Sequence, residues 1–195
     1  MRVLMIVANP EPDSFTHAIA RHATATLERA GHTVVVRDLY AEGFRAAMSP
    51  DERVAYESDH PVVDPLVAAH IDDLRAAEAL VLVYPTWWSS TPAILKGWFE
   101  RVMVPGVGFV FNQRNKVRPG ITNIRRIVGI STYGAGRAYV KAINDNGRRT
   151  IMRALRLSTG VRTRGRWIAL YRVHEADAER RQRFLDECAR TLARL

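Results

Sequence analysis

Residues 3–8 read Val3-Leu4-Met5-Ile6-Val7-Ala8, and the chain then changes character at once to Asn9-Pro10-Glu11-Pro12-Asp13-Ser14-Phe15-Thr16. An unbroken apolar run of this length suits a strand buried on both faces, the environment of a parallel sheet covered by helices. The prolines and Asp13 end it, and Ser14 stands where its hydroxyl can cap a helix. Phe15, Ile19, Ala23, Leu27 and Ala30 follow helical spacing, and Gly31 closes that helix.

The same alternation continues downstream. Thr33 to Val36 reads as a second strand, Asp38 to Pro50 as a loop, and Asp64 to Ala77 as a helix with Leu66, Ala69, Ile71 and Leu74 on one face. Ala79 to Tyr84 is a third buried strand, followed by a loop over residues 85–91. Pro92 fits the first turn of a helix that shows Ile94, Leu95, Trp98, Phe99 and Val102 on one side. Residues 104–123, rich in Pro, Gly and Asn, read as a long loop with irregular strand. Ile127 to Ile130 is the fourth strand, with a helix over about 143–155, a fifth strand near 166–171 and a terminal helix over 177–195. Strands alternating with helices imply right-handed crossovers, so the expected fold is α/β: a doubly wound five-stranded parallel sheet, order 2-1-3-4-5, with helices on both faces. Ligands of such sheets bind beyond the C-terminal strand ends, which singles out the loops at 9–16, 85–91 and 131–139.

Composition narrows the class further. The 195 residues are enough for one domain, and 47% hydrophobic with 25% charged residues is a globular balance. The single cysteine, Cys188, excludes an intramolecular disulfide framework and suits a reducing compartment. No apolar run approaches the ~20 residues that cross a bilayer, and the first run lacks the flanks of a signal peptide, so a cytoplasmic protein without membrane insertion is expected. His17, His22, His32, His60, His70 and His174 form no metal-ligand spacing, and no metal is expected.

The net charge of +9 is unevenly spread: residues 1–100 carry −6 and residues 101–195 carry +15. Of the 29 basic residues 26 are Arg, scattered without a block of like charge, and no nucleic-acid partner is expected. These arginines are expected on cofactor phosphates, in pairs with the acidic half and at subunit contacts.

Each of the three loops has a chemical reading and a structural one. In the first, the helix amides and the hydroxyls of Ser14 and Thr16 can hold a phosphate, unless Ser14 merely caps. No G-x-G-x-x-G follows the first strand and no P-loop occurs, which disfavours a dinucleotide-type Rossmann site or an NTPase. In the second, Trp87 and Trp88 suit a flat heteroaromatic ring, unless they belong to the core or to a dimer interface. In the third, Gly134-Ala135-Gly136 permits close backbone approach, and Tyr139 follows. No G-x-S-x-G elbow is present, against a hydrolase.

The strings from Ala8 to Thr16, Tyr84-Pro85-Thr86-Trp87-Trp88, Pro92 to Val102 and Ile130 to Gly136 together resemble the flavodoxin-like NAD(P)H:quinone oxidoreductase family. The resemblance implies a flavodoxin-like fold, a bound flavin (FAD, with FMN possible), NADPH or NADH as reductant, a quinone-like acceptor and a homodimer. It places Ser14, Phe15 and Thr16 at the flavin phosphate region. Pro85, Thr86, Trp87 and Trp88 then flank the isoalloxazine, and Ser131, Thr132 and Gly134 add contacts from the next loop. Asn9 stands where many relatives carry His and keeps its hydrogen bonding. Tyr139 matches the Tyr of a Tyr–His pair that balances charge on reduced flavin, with Asp145 in the His position, so a relay through that pair is not expected. Tyr139 is the expected catalytic hydrogen-bond partner, and Arg137, next to Gly136, is expected to set NADPH preference. A flavodoxin-like electron carrier, or a flavin-binding regulatory subunit of a membrane transport system, is the alternative.

Overall fold

The computed structural model describes all 195 residues. Five parallel strands form the sheet in the order β2-β1-β3-β6-β7: β1 Arg2–Val7, β2 Thr33–Asp38, β3 Ala79–Pro85, β6 Arg126–Thr132 and β7 Arg164–Leu170. The two strands in the middle of the chain, β4 Phe109–Phe111 and β5 Val117–Pro119, pair only with each other as an antiparallel hairpin. The sheet order is therefore the expected one, counted over the five sheet strands.

Pleating divides each central strand between two cores. Val3, Met5 and Val7 with Val81 and Val83 pack under α1 (Phe15–Arg29) and α8 (Ala178–Leu192). Leu4, Ile6, Leu80, Leu82 and Tyr84 face α3 (Pro65–Ala76), α4 (Ala93–Val102) and a π-helical turn at Thr150–Leu155. All 41 residues of the two clusters are buried, which explains why these strands read as continuous apolar runs.

Several local expectations need correction. The loop expected over Asp38 to Pro50 runs into an unanticipated helix, α2 (Pro50–Ala55), begun by a capping box in which Ser49 and Glu52 bond reciprocally. Pro92 occupies the N-cap of α4 rather than its first turn. The helix expected over 143–155 is broken: α5 (Arg137–Ala142) precedes it, Asn144 and Asp145 turn with φ 77° and 45°, and α6 (Asn146–Arg149) then runs through the π turn into α7 (Arg156–Thr159).

Polar anchors tie residues 39–64 to α4. Arg101, 2% exposed, donates to Glu52 Oε1 at 2.6 Å, to Asp64 Oδ2 at 2.5 Å and to the Arg45 carbonyl at 2.7 Å. Fully buried His70 accepts the indole N–H of Trp98 at 2.9 Å and reaches Glu42 at 2.8 Å. Gly97 is required by this approach, because a Cβ there would lie 2.1 Å from the Ala46 carbonyl oxygen.

Candidate active site

Parallel pairing carries the ends of β1, β3 and β6 to one edge, and the three candidate loops converge there. In the first loop both ends of the Asn9 amide are engaged: Oδ1 accepts from the Glu11 amide at 2.9 Å, and Nδ2 donates to Thr16 Oγ1 at 3.1 Å. Asn9 thus fastens the loop to α1. Ser14 is the N-cap, accepting weakly from the His17 amide at 3.4 Å.

His17 is a residue that sequence reasoning missed. Its Nε2 lies 2.8 Å from Asp38 Oδ2, at the end of β2, and its Nδ1 lies 3.0 Å from Ser14 Oγ. A carboxylate only accepts, so in the neutral ring Nε2 carries the proton and Nδ1 accepts from the Ser14 hydroxyl. Ser14 therefore presents a lone pair outward, and donors for an anion come from the first-turn amides of Phe15 and Thr16, which have no intrahelical partner. The Ser-x-x-His spacing at a helix start was the available signal.

The second loop is a tight turn. Trp87 and Ser90 exchange backbone hydrogen bonds of 3.1 and 3.0 Å, and between them Trp88 and Ser89 adopt φ 45° and 61°. Two consecutive left-handed residues make this a type I′ geometry that normally takes Asn-Gly. Holding a bulky residue there costs on the order of 1–3 kcal/mol. Trp87 is 42% exposed and Trp88 100%, so neither indole belongs to the core, whereas Trp98 is fully buried.

The second and third loops are bound together. Thr86 donates its amide to the Thr132 carbonyl at 2.8 Å, and its hydroxyl lies 2.9 Å from that of buried Ser131. Ser131 and Thr132 lie beneath the surface as props. Gly134 does not have positive φ, and a Cβ on it would meet only the His174 ring, at 3.6 Å. The glycine loop is thus open without needing glycine at that position.

A cleft of about 240 Å³ opens between these loops, lined by Thr86, Trp88, Tyr133, Gly134, Tyr139 and Asp145 among others. Of the residues singled out from sequence, Thr86, Trp88, Gly134, Tyr139 and Asp145 meet there. Asn9, Ser14, Phe15 and Thr16 form a separate anchor around the start of α1, and Pro85, Trp87, Ser131 and Thr132 are outside the cleft lining.

Tyr139 is 59% exposed on α5, and the deep phenol is Tyr133, which sequence reasoning gave no role. Its hydroxyl donates to Asp145 Oδ1 at 2.8 Å, and its ring stacks on Tyr171 at a centroid distance of 4.9 Å. Burial first, then the hydrogen bond and charge of Asp145, push the Tyr133 phenol far above its ordinary range. Asp145 is therefore a hydrogen-bond acceptor for a phenol that keeps its proton.

Burial also holds Cys188 protonated, its thiol pushed up to about 12.

A family of flavodoxin-like fold matches residues 1–194, nearly the whole chain. The chain belongs to the flavodoxin-like NAD(P)H:quinone oxidoreductase family. It is 31% identical over 153 residues to NAD(P)H dehydrogenase (quinone) 1 of Rattus norvegicus, an alignment covering 71% of this chain and 56% of the relative. Human ribosyldihydronicotinamide dehydrogenase (quinone) is 30% identical over 164 residues, covering 75% and 70%. The solved NAD(P)H:quinone oxidoreductase of Methanothermobacter marburgensis superposes with a TM-score of 0.86 at 28% identity, covering 99% of this chain and 98% of that one. Against several curated members of the family the match spans about half of the relative's length.

Proposed function

We propose that this protein is a flavin-dependent NAD(P)H oxidoreductase, one flavin-binding domain over residues 1–195, that reduces quinones or similar two-electron acceptors. The observation that carries the reading is the fully exposed Trp88 indole, held in a left-handed turn over a cleft that also contains Tyr139 and Thr86. A bare aromatic face on a costly backbone, beside free amides and hydroxyls, suits a planar heteroaromatic ring that also needs hydrogen bonds.

The donor set fits a flavin of either kind, FAD or FMN. The amides of Phe15 and Thr16, positioned by the Asn9–Thr16 bond and by Ser14, would hold the phosphate end. Trp88, Thr86 and Gly134 would flank the ring system, with Trp87 and Pro85 at the rim and Ser131 and Thr132 fixing Thr86 from below. A bound flavin accepts hydride from a nicotinamide and passes two electrons to the acceptor. The chain's own part is to stack, align and exclude water, and to offer the Tyr139 hydroxyl to developing negative charge.

The proposed assembly is a homodimer. Val110, Phe111, Val117, Leu157 and Val161 are all exposed, and Val117, Leu157 and Val161 border one depression of about 670 Å³ beside the β4–β5 hairpin. A clustered apolar surface of this kind marks an interface. No helix is long and apolar enough to cross a membrane.

The test is to purify the protein, record its visible spectrum, and identify any flavin released on denaturation. Yellow protein that oxidises NADH or NADPH with menadione is expected. Colourless protein that neither FAD nor FMN restores would overturn the reading. A flavin-loaded protein inert towards both nucleotides would instead be an electron carrier.

A further inference from the structure

The excess of positive charge in residues 101–195 is expected to pair in part with the acidic half, yet only Arg101 does so, and Arg172 and Arg183 pair locally with Glu175 and Glu179. Six of the remaining cations line one groove. Arg137 and Lys141 of α5, Arg148 and Arg149 of α6, Arg153 of the π turn and Arg156 of α7 border a space of about 950 Å³ with Asp145 and Tyr171. All six are exposed, and none makes an ion pair with a carboxylate. The one carboxylate in the groove, Asp145, already accepts the Tyr133 hydroxyl.

Local sequence works against this arrangement. Arg137 and Lys141 are four residues apart on α5, as are Arg149 and Arg153 along the next helical run, and like charges so spaced repel. The backbone beside them is unusual as well, with Asn144 and Asp145 left-handed in succession and a π turn at Thr150–Leu155. Strained residues and π turns gather at ligand clamps. The groove and the aromatic cleft share Val140 and Asp145, so the two spaces abut.

We propose that this groove receives the phosphate-bearing adenosine end of the nicotinamide nucleotide and reads its 2′-phosphate, which makes NADPH the reductant. The inference rests on the proposed function. A second ligand that reaches both spaces brings a flat ring against the flavin at the mouth of the cleft and several phosphates along the groove. NADH and NADPH share the pyrophosphate and differ only in the 2′-phosphate, a dianion that a cluster of guanidinium groups with almost no counter-charge favours. Tyr171 is the one aromatic side chain in the groove, whereas a track for single-stranded nucleic acid needs a succession of stacking faces.

Calorimetry with adenosine 2′,5′-bisphosphate, with ADP as comparison, tests the groove directly and needs no flavin. Arg148→Gln/Arg149→Gln is expected to raise the Kd for the bisphosphate about tenfold or more, and to lower the NADPH-to-NADH ratio of kcat/KM by a similar factor. The distant pair Arg190→Gln/Arg194→Gln removes the same charge and is expected to stay within about twofold of the parent on both measures. Equal effects in the two variants, equal weakening of ADP and bisphosphate, or an unchanged nucleotide ratio would each overturn the inference, as would tighter groove-dependent binding of random RNA than of the bisphosphate. Failure to take up flavin overturns the proposed function instead, and leaves the calorimetric result readable.

Discussion

Buried Tyr133 and partly exposed Asp145 form a pair, the phenol donating to Oδ1 at 2.8 Å in a cleft whose lining includes the exposed Tyr139. The pair fixes the left-handed turn at Asp145 and leaves Tyr139 as the phenol free to reach a ligand.

The two tyrosines should therefore separate in their effects. Tyr139→Phe is expected to slow at least one half-reaction about tenfold to a hundredfold, with thermal stability unchanged. Tyr133→Phe leaves Asp145 without its buried donor and is expected to cost about 1–3 kcal/mol in urea unfolding. Stopped-flow absorbance gives both half-reactions, and if Tyr139→Phe leaves both untouched, the role assigned to Tyr139 is wrong.

The turn at Trp88 predicts opposite signs for folding and binding. Trp88→Gly relieves a left-handed indole-bearing residue and is expected to raise the stability of flavin-free protein by about 1 kcal/mol. The same change removes the ring-stacking face and should weaken flavin binding about tenfold, read by fluorescence titration. Loss of stability together with unaltered flavin affinity would show that the indole packs against protein.

Much of this architecture was legible because parallel strands buried on both faces announce themselves, as Val3 to Ala8 and Ala79 to Tyr84 do. The first-loop anchor was legible from Ser14 and the helix it caps. What stayed hidden was set by partners distant in sequence. Nothing near Tyr133 announces that Asp145 will accept its hydrogen bond, since that depends on a two-residue left-handed turn without glycine. His17 reads as a helix-surface residue until β2 brings Asp38 within 2.8 Å. The α2 helix, by contrast, was signalled by Ser49-Pro50-Asp51-Glu52, whose capping-box spacing outweighs the absence of an apolar stripe.

The Arg101 cluster predicts acid lability in the 39–64 segment. Burial alone would raise the carboxyls of Glu52 and Asp64, but hydrogen bonds from Ser49 and Arg101 at Glu52, and from Arg101 and the Leu66 amide at Asp64, hold both below their ordinary values. Depressed carboxylates contribute stability that is complete above the unfolded-state values and is lost as pH falls through the folded ones. Arg101→Met, which strands two carboxylates, is expected to cost about 3–5 kcal/mol at neutral pH and to flatten the acid limb of stability against pH. A variant as stable as the parent at pH 7 would rule out this account.

His70 predicts a second pH dependence, at higher pH. Its Nδ1 accepts the Trp98 indole N–H at 2.9 Å, so the ring proton sits on Nε2, 2.8 Å from Glu42. A second proton would have to enter at Nδ1, turning that acceptor into a donor facing the indole donor. Burial is the larger cause that lowers the imidazole below its ordinary 6.5, and the hydrogen bond and charge of Glu42 oppose it only in part. With the folded value below the unfolded one, the unfolded chain binds the proton more readily. Stability is then full above the unfolded-state value and declines as pH falls below it. The urea midpoint of the parent is expected to fall between pH 7.5 and pH 5.5. In His70→Gln, whose amide can accept from Trp98 and donate to Glu42 without titrating, that slope should shrink. A parent midpoint that rises over the same interval would mean that the charged His70–Glu42 pair, and not the neutral ring, is the buried form.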